Sequence, residues 1–197
     1  AAPCDIILHV RMLDRYNLQQ QDALGIFGVN LVHGAFFHRD DPREFIRALA
    51  DNLGKERIEV DMIQFLGAGF EEVDNRTLSL ILVQEGMTNA VVFDADGNVR
   101  QPAELLYKKA VLMERGSFQP VNNVHLDMLE CAQKRFSEVQ GISESDTLVL
   151  FELNLSTFGS DEEIDLADFL ARVDALTALG QTVLISNYFE FYRLSAY

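Results

Sequence analysis

The sequence has few cysteines, few cations and no long run of apolar residues, and each scarcity argues against a class of protein. Cys4 and Cys131 are the two cysteines among 197 residues. Two cysteines are too few for a disulfide framework, so reduced thiols and a cytoplasmic location are predicted.

Positive charge is scarce along the whole chain. There are 16 Lys and Arg against 31 Asp and Glu, giving a formal net charge of −15. Nucleic-acid affinity comes largely from cationic side chains that displace counterions, and the best basic cluster is the pair Lys108 and Lys109. The charge therefore argues against DNA, RNA and anionic membranes as partners. One nucleotide stays compatible with it, because backbone N–H groups can bind a phosphate locally.

Uninterrupted apolar sequence is also limited. The longest stretch, residues 23–37, contains Asn30 and His33 and is too short to span a bilayer. The first residues lack the basic and apolar regions of a signal peptide. Apolar residues still make up 48% of the composition, and a chain of this length can bury about 70% of its unfolded surface. We expect a soluble protein with a sizeable core.

Strands alternate with helices along the chain. Hydrophobic patterns predict strands at residues 5–13, 57–65, 89–93, 110–114, 147–155 and 182–186. Periodicity and capping signals predict helices at residues 19–37, after Asp41, after Asp74, at residues 123–136, after a capping box of Ser160 and Glu163, and at residues 189–197. This order is typical of an α/β fold with a layered, largely parallel, Rossmann-like sheet flanked by helices.

The helix at residues 19–37 is apolar almost all round and contains Gly25, Gly28 and Gly34. Glycine inside a helix costs about 1 kcal/mol of stability relative to alanine, so the three glycines predict that another element packs closely against the helix.

The first strand, at residues 5–13, is apolar and is predicted to be buried, with His9 as a core histidine whose hydrogen bonds are satisfied.

A weak boundary near residues 97–102 suggests two lobes, 1–100 and 101–197, as an alternative to one large domain. The chain opens directly into a strand and closes in a helical pattern without a stop signal. We therefore expect a piece of a longer polypeptide, with further segments of that polypeptide or further copies of the chain as partners.

Residues 110–126, AVLMERGSFQPVNNVHL, form the pattern with the most chemical content. A strand leads into a turn that contains Gly116 and Pro120, and a helix begins near Asn123. The start of a helix presents unpaired N–H groups and the positive end of the helix dipole. This arrangement suits the binding of one phosphate.

The segment resembles the G-[ST]-F-x-P-x-H-x-G-H-L motif of nicotinate-nucleotide adenylyltransferases and related nucleotidylyltransferases. The positions in register are Gly116, Ser117, Phe118, Pro120, His125 and Leu126. The resemblance implies adenylyl transfer from ATP, with Mg²⁺, to a mononucleotide. It implies that His125 is the catalytic residue that contacts phosphate, and that the nucleotide is bound by Gly116, Ser117, Phe118, Asn122 and Asn123. The wider chain also resembles a family of longer uncharacterised bacterial proteins, some of which carry an adenylyltransferase label.

Two positions depart from the motif. Asn122 stands where the family has its first histidine and supplies no cation, and Val124 stands where it has a glycine. The Val124 side chain is predicted to fill the space that the glycine leaves for the nucleotide. The family's second motif, a Ser/Thr-rich run ending in Arg, is not evident. A structural βα turn is therefore the alternative interpretation of these residues.

Two further patterns have chemical interpretations. Residues 91–99, VVFDADGNV, resemble the first motif of haloacid-dehalogenase-type phosphatases, which implies Asp94 as nucleophile and Asp96 as general acid. A tight turn is the alternative there. His33, His38, Asp40 and Asp41 could bind a metal, although a spacing of five does not place both histidines on one helix face.

Two functions follow as hypotheses. The first is a nucleotide-binding domain that resembles an adenylyltransferase, with its site at residues 116–125. The second is a non-catalytic α/β domain of a larger protein or assembly, acting through protein–protein contacts.

Overall fold

The computed structural model describes residues 3–140, 143, 146–159 and 164–196, which form two compact units, Ala1–Asn89 and Ala90–Tyr197. The predicted lobes, 1–100 and 101–197, place the division later in the chain. The segment Ala90–Phe93 belongs to the second unit because it is a strand of that unit's sheet.

The first unit is an antiparallel pair of strands packed against three helices. The strands are β1 (Cys4–Met12) and β2 (Ile58–Gly67), and the helices are α1 (Asn17–Phe37), α2 (Pro42–Ala48) and α3 (Asn75–Gln84). Alternate side chains of a strand share one face of the sheet. Those facing the helices, including Ile63 and Phe65, form one core with Phe45 and Leu78.

The antiparallel pairing of β1 and β2 differs from the predicted parallel sheet. One connecting helix would return the chain to the start of the first strand and make the next strand parallel. Two helices, α1 and α2, separate β1 from β2, so the chain reaches the start of β2 beside the carboxyl end of β1, where Met12 pairs with Ile58. β1 was expected to be buried, but each of its residues is half-buried or exposed.

The second unit is a five-stranded mixed sheet in the order β4-β3-β7-β6-β5. Its strands are β3 (Ala90–Phe93), β4 (Val99–Arg100), β5 (Ala110–Arg115), β6 (Thr147–Asn154) and β7 (Thr182–Ser186). β5, β6 and β7 are parallel to one another, whereas β3 is antiparallel to both β7 and β4. The predicted parallel arrangement therefore holds only for β5–β7.

Helices of unequal length cover the two faces of this sheet. They are α4 (Pro102–Leu105), α5 (Asn123–Gln140), α6 (Leu166–Thr177) and α7 (Phe191–Leu194). Phe93 of β3 packs against Phe169 of α6, so the long helix α6 lies on the face that carries Phe93. On the other face, Leu150 and Leu184 form a core cluster with Leu194 of the short helix α7.

The start of α6 is stabilised by Asp165, whose carboxylate accepts hydrogen bonds from the backbone N–H groups of Ala167 and Asp168. The predicted capping box of Ser160 and Glu163 lies outside the described residues. Among the helices of the described ranges, none combines the length and the apolarity needed to cross a bilayer.

Candidate functional site

The carboxyl ends of β5, β6 and β7 lie at one edge of the second sheet because the three strands are parallel. Open α/β sheets bind their ligands outside this edge. β5 ends at Arg115, and Gly116, the first residue of the predicted motif, follows directly. The neighbouring strands end at Asn154 and Ser186. The motif thus occupies a position where ligand binding is common in this class of fold.

Phe118 organises the loop between β5 and α5. Its φ of 47° lies in the left-handed region, and its side chain is buried. The ring packs on Phe151 of β6, with 5.1 Å between the ring centroids. A Cβ atom at Gly116 would lie 2.9 Å from the Phe118 ring. Glycine at this position therefore permits the close approach of Phe118.

Arg172 connects α6 to the same loop between β5 and α5. Its Nη1 donates to the Ser117 carbonyl at 3.2 Å, and its guanidinium forms an ion pair with Asp168 and lies 4.5 Å from the centre of the Phe158 ring. Arg172 is 5% exposed. The sequence signal for this role was the position of Arg172 among the apolar residues of α6, next to Val173 and one turn from Phe169. This role was not predicted from the sequence.

Asn122 caps the start of α5. Its Oδ1 accepts from the backbone N–H groups of Val124 and His125, at 3.0 and 3.3 Å. These backbone N–H groups lie at the helix start where the sequence pattern predicts that a phosphate binds. The Asn122 side chain already supplies them with a hydrogen-bond acceptor. Val124 is 61% exposed, so its side chain points to solvent and does not fill a space in the loop, contrary to expectation. Asn123 is exposed beside it.

His125 has a defined tautomer and a neighbouring carboxyl group. Its Nδ1 accepts from the Asn122 backbone N–H at 3.1 Å, which leaves the proton of the neutral ring on Nε2. The ring packs edge-on against Phe118, with centroids 5.2 Å apart. Burial raises the pKa of Glu114, whereas His125, when protonated, acts to lower it. His125 is therefore a hydrogen-bond donor that has an acidic group nearby.

A network of charged and polar side chains lies on the other face of the sheet. Glu152 is fully buried, forms an ion pair with Arg115, and accepts a hydrogen bond from the Ser186 hydroxyl. Arg115 also donates to the carbonyls of Tyr188 and Phe189, at 2.8 Å each. We call this set of residues the Arg115 network. It joins the ends of β5, β6 and β7 to the segment that leads into α7.

A cavity of about 360 Å³ adjoins this network. Its lining includes Val111, Met113, Leu150 and Leu184 from the sheet and Phe191 and Leu194 from α7. We call it the α7 cavity. The guanidinium carbon of Arg115 lies 4.2 Å from the centre of the Phe191 ring, so the network also supports one wall of the cavity. No sequence pattern had indicated a cavity.

α1 exposes an apolar surface in the first unit. Its buried residues are Ala23, Phe27 and Gly34. On the other side of the helix, a row with the alternating spacing of a coiled-coil seam consists of Leu18, Asp22, Gly25, Val29, Val32 and Phe36. We call this row the α1 face. The sequence signal for the α1 face was that residues 19–37 are apolar on almost every side of the helix, without a polar side to face solvent.

The α1 face is large and flat at its centre. Leu18, Val29 and Phe36 are 78%, 70% and 79% exposed. A Cβ atom at Gly25 or Gly28 would meet no atom within 4 Å. Of the three glycines predicted to allow close packing, only Gly34 does so within the chain, where a Cβ atom would lie 3.1 Å from the Phe45 ring.

The phosphatase-like residues form a turn. Asp94 Oδ1 accepts from the backbone N–H groups of Asp96 and Asn98, at 3.0 and 2.9 Å, and Gly97 has a φ of 79°. These contacts close the β3–β4 hairpin. Because β3 is antiparallel to β7, with Phe93 opposite Val183, Asp94 lies at the edge opposite to the carboxyl ends of β5–β7.

The histidines outside the motif have structural contacts. The His33 and His38 rings are in contact, tilted by 53° with their centroids 5.4 Å apart. Asp41 caps α2 by accepting a hydrogen bond from the Glu44 backbone N–H. Over the described ranges, no group of three or more His, Cys, Asp or Glu is arranged to hold a metal. His9 is half-buried, and its Nδ1 lies 2.6 Å from Oδ1 of the buried Asp61.

Comparison with known proteins gives no assignment, since no family model, curated protein or solved structure matches the chain. The resemblance of residues 110–126 to nucleotidylyltransferases therefore stays a prediction. Three surfaces remain as functional candidates: the loop at residues 116–125, the α1 face and the α7 cavity.

Proposed function

We propose that the chain is an assembly domain that acts through protein–protein contacts, with a second copy of the same chain docked on the α1 face. The observation that carries this proposal is the exposure of Leu18, Val29 and Phe36 on one side of a single helix. Contiguous apolar surface of this kind is typical of an interaction site.

The dimensions of α1 suit a pairing with its own copy. α1 has 21 residues, so it is about 31 Å long and about 10–12 Å in diameter. Half of its lateral surface is then about 500–600 Å², and two copies would bury about 1,000–1,200 Å², which meets the minimum of about 1,000 Å² for a specific interface. Gly25, which belongs to the α1 face and has open space beside it, allows the two helix backbones to approach closely.

The charge distribution also favours the α1 face over other surfaces for self-association. The chain carries a net charge of −15, so most surfaces of two copies repel each other. α1 contains one charged residue, Asp22, and its carboxylate lies 3.1 Å from the Arg57 guanidinium. Two α1 faces can therefore meet with little repulsion between like charges.

Sedimentation equilibrium of the purified chain tests this proposal. We expect a reversible dimer, and we expect Val29→Glu to weaken dimerisation at least tenfold because it buries a charge in the seam. Val124→Glu is the matched control, since Val124 is similarly exposed on α5, and it should leave the dimer unchanged. A monomer at all concentrations up to about 100 μM, a concentration that detects all but the weakest association, would reject the proposal.

A nucleotide is the second candidate ligand, at the loop of residues 116–125. Two observations favour it: the loop follows β5 at the carboxyl edge of the parallel strands, and the His125 ring carries its proton on Nε2 as a donor. ATP with Mg²⁺ would place a phosphate at the start of α5, where it competes with the Asn122 side chain for the Val124 and His125 N–H groups.

Thermal unfolding in the presence of ATP–Mg²⁺ and nicotinate mononucleotide tests the second candidate. A ligand at a hundred times its dissociation constant stabilises the fold by about 2.7 kcal/mol. We expect His125→Ala to abolish the shift and Asn122→Ala to enlarge it, because the phosphate then replaces the lost cap. Val124→Gly should have little effect, since Val124 points to solvent. No shift in any variant at millimolar ligand would identify residues 116–125 as a structural turn.

A further inference from the structure

We infer that residues 90–197 bind a small amphipathic anion, with its hydrocarbon part in the α7 cavity and its carboxylate beside the turn that contains Lys108. This inference is independent of the proposed self-association and of the nucleotide, because the α7 cavity shares no residue with the α1 face or with residues 116–125.

The size and lining of the α7 cavity define the hydrocarbon part of the ligand. Its volume of about 360 Å³ lies in the range of about 300–1,000 Å³ that is typical of small-molecule sites. Met113, Leu150 and Leu184 line it from the sheet, and Phe191 and Leu194 line it from α7. Covering these side chains with hydrocarbon removes apolar surface from water, which favours binding. A saturated or aromatic hydrocarbon group fits this lining.

The wall formed by α7 is held in place before any ligand binds. α7 has four residues and little stability of its own. Arg115 donates to the carbonyls of Tyr188 and Phe189, which precede the helix, and its guanidinium lies against the Phe191 ring. Asn154 donates to the Tyr188 carbonyl as well, at 2.8 Å. A wall fixed in this way reduces the ordering cost of binding.

The lysine in the turn that follows α4, Lys108, indicates that the ligand is an anion. Leu106 and Val111 both line the cavity, so the residues between them, which include Lys108 and Lys109, pass beside it. Lys108 is exposed, with Nζ 5.1 Å from the centre of the Tyr107 ring. In a chain with a net charge of −15, the exposed ammonium group of Lys108 provides local attraction for an anion. A carboxylate is therefore favoured over a neutral or cationic head group.

Titration calorimetry with decanoate and with decan-1-ol, both below their micelle or solubility limits, separates the two parts of the inference. We expect one decanoate per chain and weaker binding of decan-1-ol. Val111→Phe should weaken decanoate binding at least tenfold by filling the cavity, whereas Val124→Phe, the same substitution on the exposed surface of α5, should not. Lys108→Ala should weaken the binding of decanoate but leave that of decan-1-ol unchanged.

Ser195→Phe repeats the test of the cavity if Val111→Phe disturbs the strand. Ser195 lines the cavity and lies outside the sheet, directly after the end of α7. We therefore expect the added ring to occupy part of the cavity while the strands stay unchanged. Absence of binding at about 1 mM decanoate, which corresponds to less than about 4.1 kcal/mol of binding free energy, would overturn the inference. Binding of several decanoates per chain that survives both Phe variants would overturn it as well.

Discussion

Glu152 illustrates how single residues determine the stability of the second unit. Its carboxylate is fully buried at the end of β6 and has Arg115 and Ser186 as partners. A buried charge that loses its partner is far more costly than an exposed one. The Arg115 network therefore constrains the sheet edge more strongly than the exposed ion pairs of the chain.

Replacing Arg115 with methionine should destabilise the protein by about 3–5 kcal/mol, because Glu152 is left buried without its counter-charge. Urea unfolding monitored by circular dichroism measures the change. Lys134→Met is the matched control. Lys134 pairs with Glu130 at 2.6 Å on the surface of α5, where both side chains are about two-thirds exposed, and its loss should have no measurable effect. Equal effects of the two substitutions would contradict the importance of burial.

Glu114 should make stability depend on pH in the opposite direction to most carboxylates. Burial raises the pKa of Glu114 in the folded state, so the native protein binds the proton more tightly than the unfolded chain. Stability contributed by this group is present below the ordinary carboxyl pKa and is lost as pH rises through the raised value. Glu114→Gln should therefore stabilise the protein more at about pH 7 than at about pH 4. A variant that is less stable at neutral pH would contradict this account.

At the scale of elements, α1 contains glycines in two different environments, one packed against the core and one facing open space. Gly34 faces the core, where a Cβ atom would lie 3.1 Å from the Phe45 ring, whereas Gly25 faces open space. The Phe45 ring is fully buried and packs edge-on against Phe65, with centroids 5.1 Å apart, so it has little room to move.

Gly25→Ala should stabilise the monomer by about 1 kcal/mol, the difference in helix propensity between glycine and alanine. Gly34→Ala should gain less or lose stability, because the Phe45 ring must shift to make room. Thermal unfolding of the two variants, at concentrations where the chain is monomeric, measures the difference. In sedimentation equilibrium, Gly25→Ala should also weaken the dimer, since the added methyl groups separate the paired helices. Identical stabilities for the two variants would contradict the packing described for Gly34.

At the scale of the whole molecule, net charge opposes any association of two copies. Each copy carries −15, and repulsion between exposed charges is screened over about 10 Å at 0.1 M salt and about 3 Å at 1 M. Dimerisation through an apolar face should therefore strengthen as sodium chloride is raised over this range. Sedimentation equilibrium at both salt concentrations measures it. A dimer that weakens with salt would instead depend on ion pairs between copies, and the α1 face would not explain it.

The fold was predictable from the sequence to the extent that it depends on local pattern. The strands at residues 110–114 and 182–186 and the helix at residues 19–37 correspond closely to β5, β7 and α1. Strand direction was not predictable in the same way. β3 pairs with β7, whose sequence lies far along the chain, and no local periodicity records which distant strand a segment will meet.

The candidate sites show the same division. The sequence by itself determined that a βα turn with a helix start lies at residues 116–125, because glycine, proline and capping residues act over a few positions. Only the tertiary structure decided that Asn122 occupies the N–H groups of that helix start, that Arg115 and Glu152 meet across two strands, and that one side of α1 stays uncovered. Each of these features depends on which surfaces come together, and burial is a property of the packed chain rather than of any segment.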